Sequence, residues 1–242
     1  MAQATPRASE PSTAATLSGD AVAQRNLDTT TPLKHQLADL YKLVDSIKIC
    51  MMTTRRPDGH LVSRPMAVRK RIGTDMWCVV NRRVQCLWAL VMCIAKCELK
   101  VTITTYRFIT NNQSHKLEEL RFDPHVNLSF YKEATGEWVS ISGTAEVKQD
   151  RSLVDALWGP DMKAWFNDLG DGIHTGDPDD PRVTVAQVKA FSAYYYVQDR
   201  SKPAVLYELA KSTLTGEAPE LGKVRLIDEE KVEVARKLES SA

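Results

Sequence analysis

The alternation of apolar and polar residues divides the chain into one early helix followed by several strands. Apolar side chains recur at helical spacing over residues 33–47, with lysines and aspartates between them, which predicts an amphipathic helix. The segments that follow are rich in β-branched and aromatic residues, and turn signals such as Pro57-Asp58-Gly59 and Thr135-Gly136 separate them. The pattern predicts strands at residues 49–54, 61–69, 126–131, 138–148 and 183–197.

Shorter helical patterns lie between and after these strands, at residues 116–121, 151–158 and 205–214. Hairpin-linked strands without a regular strand–helix–strand alternation predict a mainly β (α+β) fold. We therefore expect an antiparallel barrel, closed or partly open, with flanking helices. The sequence contains no GxGxxG or GxxxxGK[ST] motif, so the usual glycine-rich phosphate loops are absent.

Composition predicts a tail at each end of the chain. Residues 1–31 are rich in Ala, Ser, Thr and Pro and have almost no large apolar side chains, which predicts disorder. After residue 216 the chain becomes strongly charged, so residues 217–242 are predicted to form a solvated tail or a frayed helix. One domain over residues 32–216 remains.

Overall charge argues against a nucleic-acid or membrane partner. The 32 Lys and Arg residues are balanced by 31 Asp and Glu residues, so no net field attracts polyanions. The longest apolar run, residues 86–95, is much shorter than the roughly 20 residues that span a bilayer. Since no signal-peptide pattern opens the chain, we expect a cytoplasmic protein.

Two segments could bind an anion locally. The first is Ser63-Arg64-Pro65-Met66 on a predicted strand, and the second runs from Thr110 to Lys116, from a strand end into a helix start. A strand-to-helix turn presents backbone N–H groups and the positive end of a helix dipole. Arg64 adds a planar fork that can bind two phosphate oxygens. The alternative from the residues alone is that the Ser and Asn residues of the second segment cap a helix and that Arg64 is solvated.

Aromatic side chains form a third candidate group, at Trp158, Trp165-Phe166 and Tyr194-Tyr195-Tyr196. They could line a flat heterocycle. For each one taken singly, however, a place in the core or at an interface is the favoured interpretation.

Taken together, four blocks resemble a known family: KICMMTTRRPDGHLVSRPMAV, FITNNQSHKLEELRFDPHVNLSFY, WVSISGTAEVKQDRSLVDALWGPDMKAWF and LYELAKSTLTG. In this order they are similar to the general stress protein group of pyridoxamine 5′-phosphate oxidase-like, FMN-binding split barrels, which includes fungal blue-light-inducible proteins. The likeness covers residues 35–77 and 108–216. It implies a split β-barrel, a homodimer, and FMN bound between the two subunits.

The resemblance also implies roles for individual residues. Arg64 and Lys116, with Ser114 and Thr110, would bind the FMN phosphate. The backbone at Pro65 and Met66 would run along the isoalloxazine ring, and Asn111 and His115 are lesser candidates. No side chain is assigned as a catalytic acid, base or nucleophile.

The family likeness also indicates which activities to expect and which to exclude. True pyridoxamine-phosphate oxidases carry a C-terminal Arg-Leu-His segment, whereas this chain has KVRLIDEE, which argues against vitamin B6 oxidation. A flavin that passes a hydride or electrons between NAD(P)H and an acceptor is the leading hypothesis. A non-catalytic carrier or sensor of a flavin or tetrapyrrole is the alternative. FMN and a deazaflavin are not distinguished by these motifs.

The likeness is interrupted at residues 78–107. Deleting this segment would join Trp77 to Phe108 and restore one uninterrupted strand, and the coding sequence can be split there at intron-like GT and AG ends. A retained intron, which would give an inactive product, is one hypothesis. The rival is a genuine insertion, with a helix at residues 83–99 and with residues 101–110 replacing the strand that residues 76–81 would otherwise form.

The insertion also holds four of the five cysteines, of which Cys86, Cys93 and Cys97 could share a helical face. No histidine lies among them and no CxxC pair exists, so no metal site is predicted. Buried or incidental thiols are the favoured interpretation.

Overall fold

The structure is a computed structural model that describes residues 20–72, 105–111 and 114–240. Within these residues the strands are β1 (Ile49–Arg55), β2 (Leu61–Ala67), β3 (Lys70–Ile72), β4 (Thr105–Asn111), β5 (His125–Lys132), β6 (Glu137–Lys148), β7 (Val183–Val197) and β8 (Lys223–Ile227). The helices are α1 (Ala21–Asn26), α2 (Leu33–Ser46), α3 (His115–Phe122), α4 (Arg151–Leu157), α5 (Lys202–Thr215) and α6 (Glu229–Ser240). A 3-10 turn covers Pro160–Ala164. The five strands and four helices predicted from the pattern are confirmed.

The eight strands belong to one antiparallel sheet that curls into a half-barrel. Seven of them follow the order β2-β1-β5-β6-β7-β4-β3, and β8 pairs with β7 outside this path. The long strand β7 pairs with three other strands of this sheet. One edge of β7 pairs with β6 along most of its length, and the other edge pairs first with β4 and then with β8. The predicted α+β split barrel is therefore confirmed.

The inward-facing residues of the strands and one face of α2 form the main core. Helix α2 buries Leu37, Leu40, Tyr41 and Val44 against the sheet, as its apolar spacing predicts. Strand β6 alternates buried and half-buried residues along its first nine positions, the period expected when one face is packed.

The sheet bends at a β-bulge between β6 and β7. Ser142 pairs with Ser192 but Gly143 pairs with Ala190, so one extra residue lies on β7. Glycine is needed here because a Cβ on residue 143 would lie only 2.6 Å from the carbonyl oxygen of Lys189. The bend of the sheet at this position therefore requires glycine.

A second apolar cluster covers the outer face of β4 and β7. Ile109, Val183 and Val185 pack against Val154 of α4 and against Phe166 in the connection that follows. Strand β4 is consequently buried on both faces, because Phe108 faces the main core.

The predicted disordered tail at residues 1–31 is wrong for residues 20–31. Asp20 caps α1, and the buried Asn26 accepts hydrogen bonds from the backbone N–H groups of Leu221 and Gly222. Leu27 forms a parallel bridge with Val224 of β8. Hydrogen bonds hold this segment, which we call the N-terminal strap (residues 20–32), so it needs few large apolar side chains. Residues 1–19 lie outside the described residues.

The prediction for residues 217–242, a solvated tail or a frayed helix, is wrong for residues 223–227, which form β8, whereas residues 229–240 are helical. Strand β8 extends the sheet along β7, and Ile227 and Val232 enter the main core. Arg225 is buried and donates to Asp28 of the strap and to Asp39 of α2. Burial opposes ionisation of Asp28, but hydrogen bonds from Thr31 and Arg225 outweigh it and hold its pKa well below the usual range.

The structure describes the end of the 78–107 insertion. Its last residues, 105–107, form the start of β4 and pair with both β3 and β7. The strand predicted at residues 101–110 is confirmed from Thr105 onward. The predicted helix at residues 83–99 and the cysteine group lie outside the described residues. None of the described helices is long and apolar enough to cross a membrane.

Candidate functional site

The structure brings the first and second predicted anion-binding segments together. Strand β2 carries Arg64, Pro65 and Met66, and α3 begins at the end of β4. Arg64 reaches across to Glu119 of α3, and the Lys116 ammonium lies 3.7 Å from Met66 Sδ. Residues about 50 positions apart therefore share one surface.

Arg64 is held by α3 and β1. Its Nη1 donates to Glu119 Oε2 at 2.6 Å and to Thr54 Oγ1 at 3.1 Å, while Nη2 donates to Glu119 Oε1 at 2.7 Å. The Nε hydrogen and the second Nη2 hydrogen have no acceptor among the described residues. These two hydrogens lie on the same edge of the planar guanidinium, and the side chain is 28 % exposed. That edge is a free fork for two oxygens of an anion.

Lys116 adds a second positive charge. Burial lowers its pKa, and the neighbouring Arg64 cation lowers it further. Among the described residues no carboxylate lies within ion-pair distance of its ammonium group. Glu119 pairs with Arg64 only, so the three groups Arg64, Lys116 and Glu119 together carry one net positive charge.

The polar residues at the β4–α3 junction have mixed roles. Ser114 caps α3 by accepting a hydrogen bond from the backbone N–H of Lys116 at 3.3 Å, as the capping interpretation predicts. Its own N–H donates to the carbonyl of Asn111. The Thr110 hydroxyl is buried with no hydrogen-bond partner among the described residues. Such an orphaned buried group needs a partner from elsewhere.

Two predicted site residues are placed differently from the rest. The His115 side chain is 90 % exposed and lies 3.6 Å from Glu118, so it faces solvent and is not drawn toward Arg64. Pro65 is exposed on the opposite face of β2 from Arg64 and Met66, since side chains alternate along a strand.

Glu119 and Thr54 are site residues that the sequence analysis did not identify. Glu119 follows Lys116 by three positions, which places both on one face of α3. The Arg64 hydrogen bonds lower the pKa of Glu119 against the opposing effect of burial, and Thr54 lowers it further. A carboxylate one helical turn after a candidate phosphate-binding lysine was the available signal.

Phe166 and Tyr195 belong to the core, as the favoured interpretation predicts, whereas Trp165 is 77 % exposed. Trp158 and Phe166 have ring centroids 6.1 Å apart in the second apolar cluster. Tyr195 is fully buried and donates to the Gln36 carbonyl, and burial raises its pKa to about 12. Tyr196 donates to the Leu221 carbonyl. Within the described residues no group of three or more His, Cys, Asp or Glu side chains could hold a metal ion.

Comparison with known proteins identifies the family of this chain. The family model "Pyridoxamine 5′-phosphate oxidase like" matches residues 92–220. Protein bli-3 of Neurospora crassa is 36 % identical over 217 residues, which cover 88 % of this chain and 90 % of that protein. General stress protein 26 of Bacillus subtilis is 28 % identical over 83 residues, or 33 % of this chain and 53 % of that protein.

A solved structure shows the same fold. A Jannaschia protein assigned to general stress protein 26 aligns with a TM-score of 0.53 at 18 % identity, covering 81 % of this chain and 99 % of that one. The family model spans more than half of the chain, and the fungal relative covers nearly all of it. This chain belongs to the pyridoxamine 5′-phosphate oxidase-like family.

Proposed function

We propose that this protein binds FMN through its phosphate at Arg64 and Lys116 and uses the flavin for an oxidoreductase reaction. The observation that carries the proposal is the free edge of Arg64 beside a lysine that has no carboxylate partner among the described residues. A dianionic phosphate matches both the fork and the excess positive charge.

The surrounding residues fit the same ligand. The unpartnered Thr110 hydroxyl and the Ser114 hydroxyl at the start of α3 add donors for phosphate oxygens. The backbone at Pro65 and Met66 would lie along the ring, and Asn111 would support the β4–α3 junction. FMN would supply hydride or electron transfer between NAD(P)H and an acceptor, while the protein binds and orients it.

Oxidation of pyridoxamine phosphate is not part of the proposal. The KVRLIDEE segment offers one arginine, Arg225, where true oxidases use an arginine to bind substrate. Here Arg225 is buried, and its guanidinium is committed to Asp28, Asp39 and Tyr195. A substrate could recruit it only by breaking this buried network.

The test is titration of purified apo-protein with FMN and with riboflavin, which lacks the phosphate. Replacing Lys116 with Ala should weaken FMN binding roughly ten- to hundredfold, because a hydrogen bond to a charged group contributes about 1.5–3 kcal/mol. Arg64→Lys should act in the same direction, since lysine keeps a charge for Glu119 but loses the fork.

Riboflavin affinity should stay the same in both variants. Arg25→Ala is the matched control, because Arg25 is a surface arginine whose ion pair is with the exposed Glu217 at 3.5 Å. If wild-type protein binds FMN no more tightly than riboflavin, the phosphate site is misassigned.

We further propose that the flavin site is completed by a second copy of the chain. Helix α5 has no buried residue, and Leu206, Tyr207 and Leu214 are 69 %, 67 % and 88 % exposed. These exposed apolar side chains on one helix indicate an interface, because monomeric proteins rarely expose large apolar patches. A second copy would cover it in a closed two-fold dimer.

Light scattering tests the dimer. The expected mass is about twice 27.1 kDa, and Leu206→Glu should shift it toward one chain and weaken FMN binding. A monomer that binds FMN tightly at all concentrations would refute the shared site. Bleaching of the bound flavin by NADH or NADPH supports the oxidoreductase, whereas a flavin that stays oxidised indicates a carrier or sensor.

A further inference from the structure

Glu119 is the carboxylate buried beneath the candidate phosphate site. Its side chain is 5 % exposed, and it accepts hydrogen bonds from both Nη atoms of Arg64 and from the Thr54 hydroxyl. Its two oxygens are therefore occupied by groups of this chain. Because Arg64 binds end-on to Glu119, the Nε edge points away from the carboxylate.

This arrangement fixes the direction of the free fork. Rotation of the guanidinium would break two charge-assisted hydrogen bonds to Glu119 and one to Thr54. An unrestrained arginine has several rotatable bonds and loses that freedom when it binds an anion. An arginine that is already held in place loses less conformational freedom on binding, and so it binds the anion more tightly.

We propose that Glu119 is a positioning residue that orients Arg64 for phosphate recognition and thereby sets the preference for FMN over riboflavin. The inference rests on the proposed flavin-phosphate site and adds the group that organises it. Glu119 touches Arg64 and Thr54 and acts on the ligand through Arg64.

Electrostatic repulsion between Glu119 and a bound anion has the opposite effect on affinity, so the two effects can be told apart. Removing the Glu119 charge makes the pocket more positive by one unit, and Coulomb attraction alone would then tighten the binding of an anion. The carboxylate faces the Nη1–Nη2 edge of the guanidinium, and the free Nε–Nη2 edge is adjacent to it. The loss of orientation on replacing Glu119 is expected to outweigh the loss of repulsion.

The first experiment detects positioning without any flavin. In wild-type protein labelled with 15N, the Arg64 Nε and Nη signals, assigned by their loss in Arg64→Lys, should show hindered rotation. In Glu119→Gln the Nη signals should average, since a neutral amide accepts fewer hydrogen bonds and presents its own N–H groups to Arg64. Unchanged hindered rotation in Glu119→Gln would overturn the proposal.

The second experiment compares affinities for FMN and riboflavin. Glu119→Gln should weaken FMN binding roughly tenfold, the scale of the freedom an arginine side chain regains, and should leave riboflavin binding unchanged. Thr54→Val should act in the same direction to a smaller extent. In the Arg64→Lys background, Glu119→Gln should no longer change the FMN-to-riboflavin ratio, because lysine has no fork to orient.

The outcomes separate the two proposals. If wild-type protein prefers FMN and Glu119→Gln binds FMN equally well or more tightly, only the positioning role is overturned. If wild-type protein shows no preference for FMN, the phosphate site fails and the role of Glu119 as its selector fails with it. If Glu119→Gln weakens riboflavin as much as FMN, Glu119 supports the fold and does not select the phosphate.

Discussion

A chain that lacks residues 78–107 should fold into the same half-barrel. The structure pairs Ile72 of β3 with Thr105 of β4 in antiparallel register. Joining Trp77 to Phe108 moves Asp75 into the position of Thr105, so only Gly73 and Thr74 remain between the paired residues. Two-residue connections are the commonest β-hairpin loops, and glycine at the first position suits a type II′ turn.

The shortened chain also keeps the inward and outward alternation of β4. Met76 would take the place of Tyr106, which is fully buried, and Trp77 would take the place of the half-buried Arg107. Exchanging a buried tyrosine for methionine in an otherwise unchanged core costs about 1–3 kcal/mol. Shortening the β3–β4 connection from the 32 residues 73–104 to two recovers about 2.5 kcal/mol of loop-closure entropy.

These opposing effects nearly cancel, so the free energy of unfolding should change by no more than about 2 kcal/mol. For a chain of this size that corresponds to a shift in Tm of less than about 8 °C. Denaturant titration and thermal unfolding measure it directly. Amide exchange adds a local probe: the Arg69 N–H, which donates to the Arg107 carbonyl at 3.0 Å, should stay protected by bonding to Trp77 instead.

A deletion that is one residue longer is the matched control. Removing residues 77–107 joins Met76 to Phe108 and places Asp75 in the buried position of Tyr106. It also leaves one residue for the turn, so β3 must lose its register or the core must accept a carboxylate. This control should be much less stable than the 78–107 deletion.

Equal stability of the two deletions, or loss of cooperative unfolding in the shorter deletion alone, would refute the reasoning. The retained-intron hypothesis has its own test, which is to sequence the transcript. Spliced message that encodes Trp77 directly before Phe108 is the expected result, and its absence from expressing cells would leave a genuine insertion.

Two further predictions concern stability. Asp28 has a depressed pKa in the folded protein, so its ionised form stabilises the fold. This contribution to the free energy of unfolding is fully present above the unfolded pKa of about 4 and is lost as the pH falls below that value. Asp28→Asn should therefore make the free energy of unfolding, measured by urea titration, fall less steeply at acid pH. An unchanged acid limb would show that the pair with Arg225 adds nothing. Gly143→Ala should destabilise by about 1–3 kcal/mol, since its Cβ would meet the Lys189 carbonyl at 2.6 Å, whereas Ser142→Ala next to it should have little effect on the same denaturant titration.

The strands and helices could be predicted because each buries one regular face. Helix α2 and strand β6 carry their apolar residues at the periods expected for a helix and a strand, and the structure places those residues in the core. Hydrophobic periodicity did not predict the N-terminal strap or β8. Polar contacts of Asn26, Asp28 and Arg225 join the strap to the β8 region across nearly 200 residues of sequence. Periodicity carries no information about a polar pairing at that distance.

The candidate site was predicted as separate residues and completed by the structure. Arg64 and Lys116 were identified by residue type and by resemblance, and the fold brings their segments together. Glu119 and Thr54 were missed because a buried acid looks unfavourable at an anion site until its arginine partner is known. Charge pairing between β2 and α3 depends on the sheet order, which the pattern of single strands does not specify.

Within the described residues, the end of the insertion enters the sheet at β4, and the far end of β4 precedes the start of α3. Strand β4 pairs with β3 over three residues but with β7 over seven, from Thr105 to Asn111. The last of these pairs joins Asn111 to Val183 and so fixes the point from which α3 departs. Because β7 also carries the pairing with β6 and β8, the start of α3 is anchored by the centre of the sheet. A change upstream of Thr105 should therefore alter stability at the β3 edge while leaving Lys116 and Arg64 in place, and FMN affinity should be the same with and without residues 78–107.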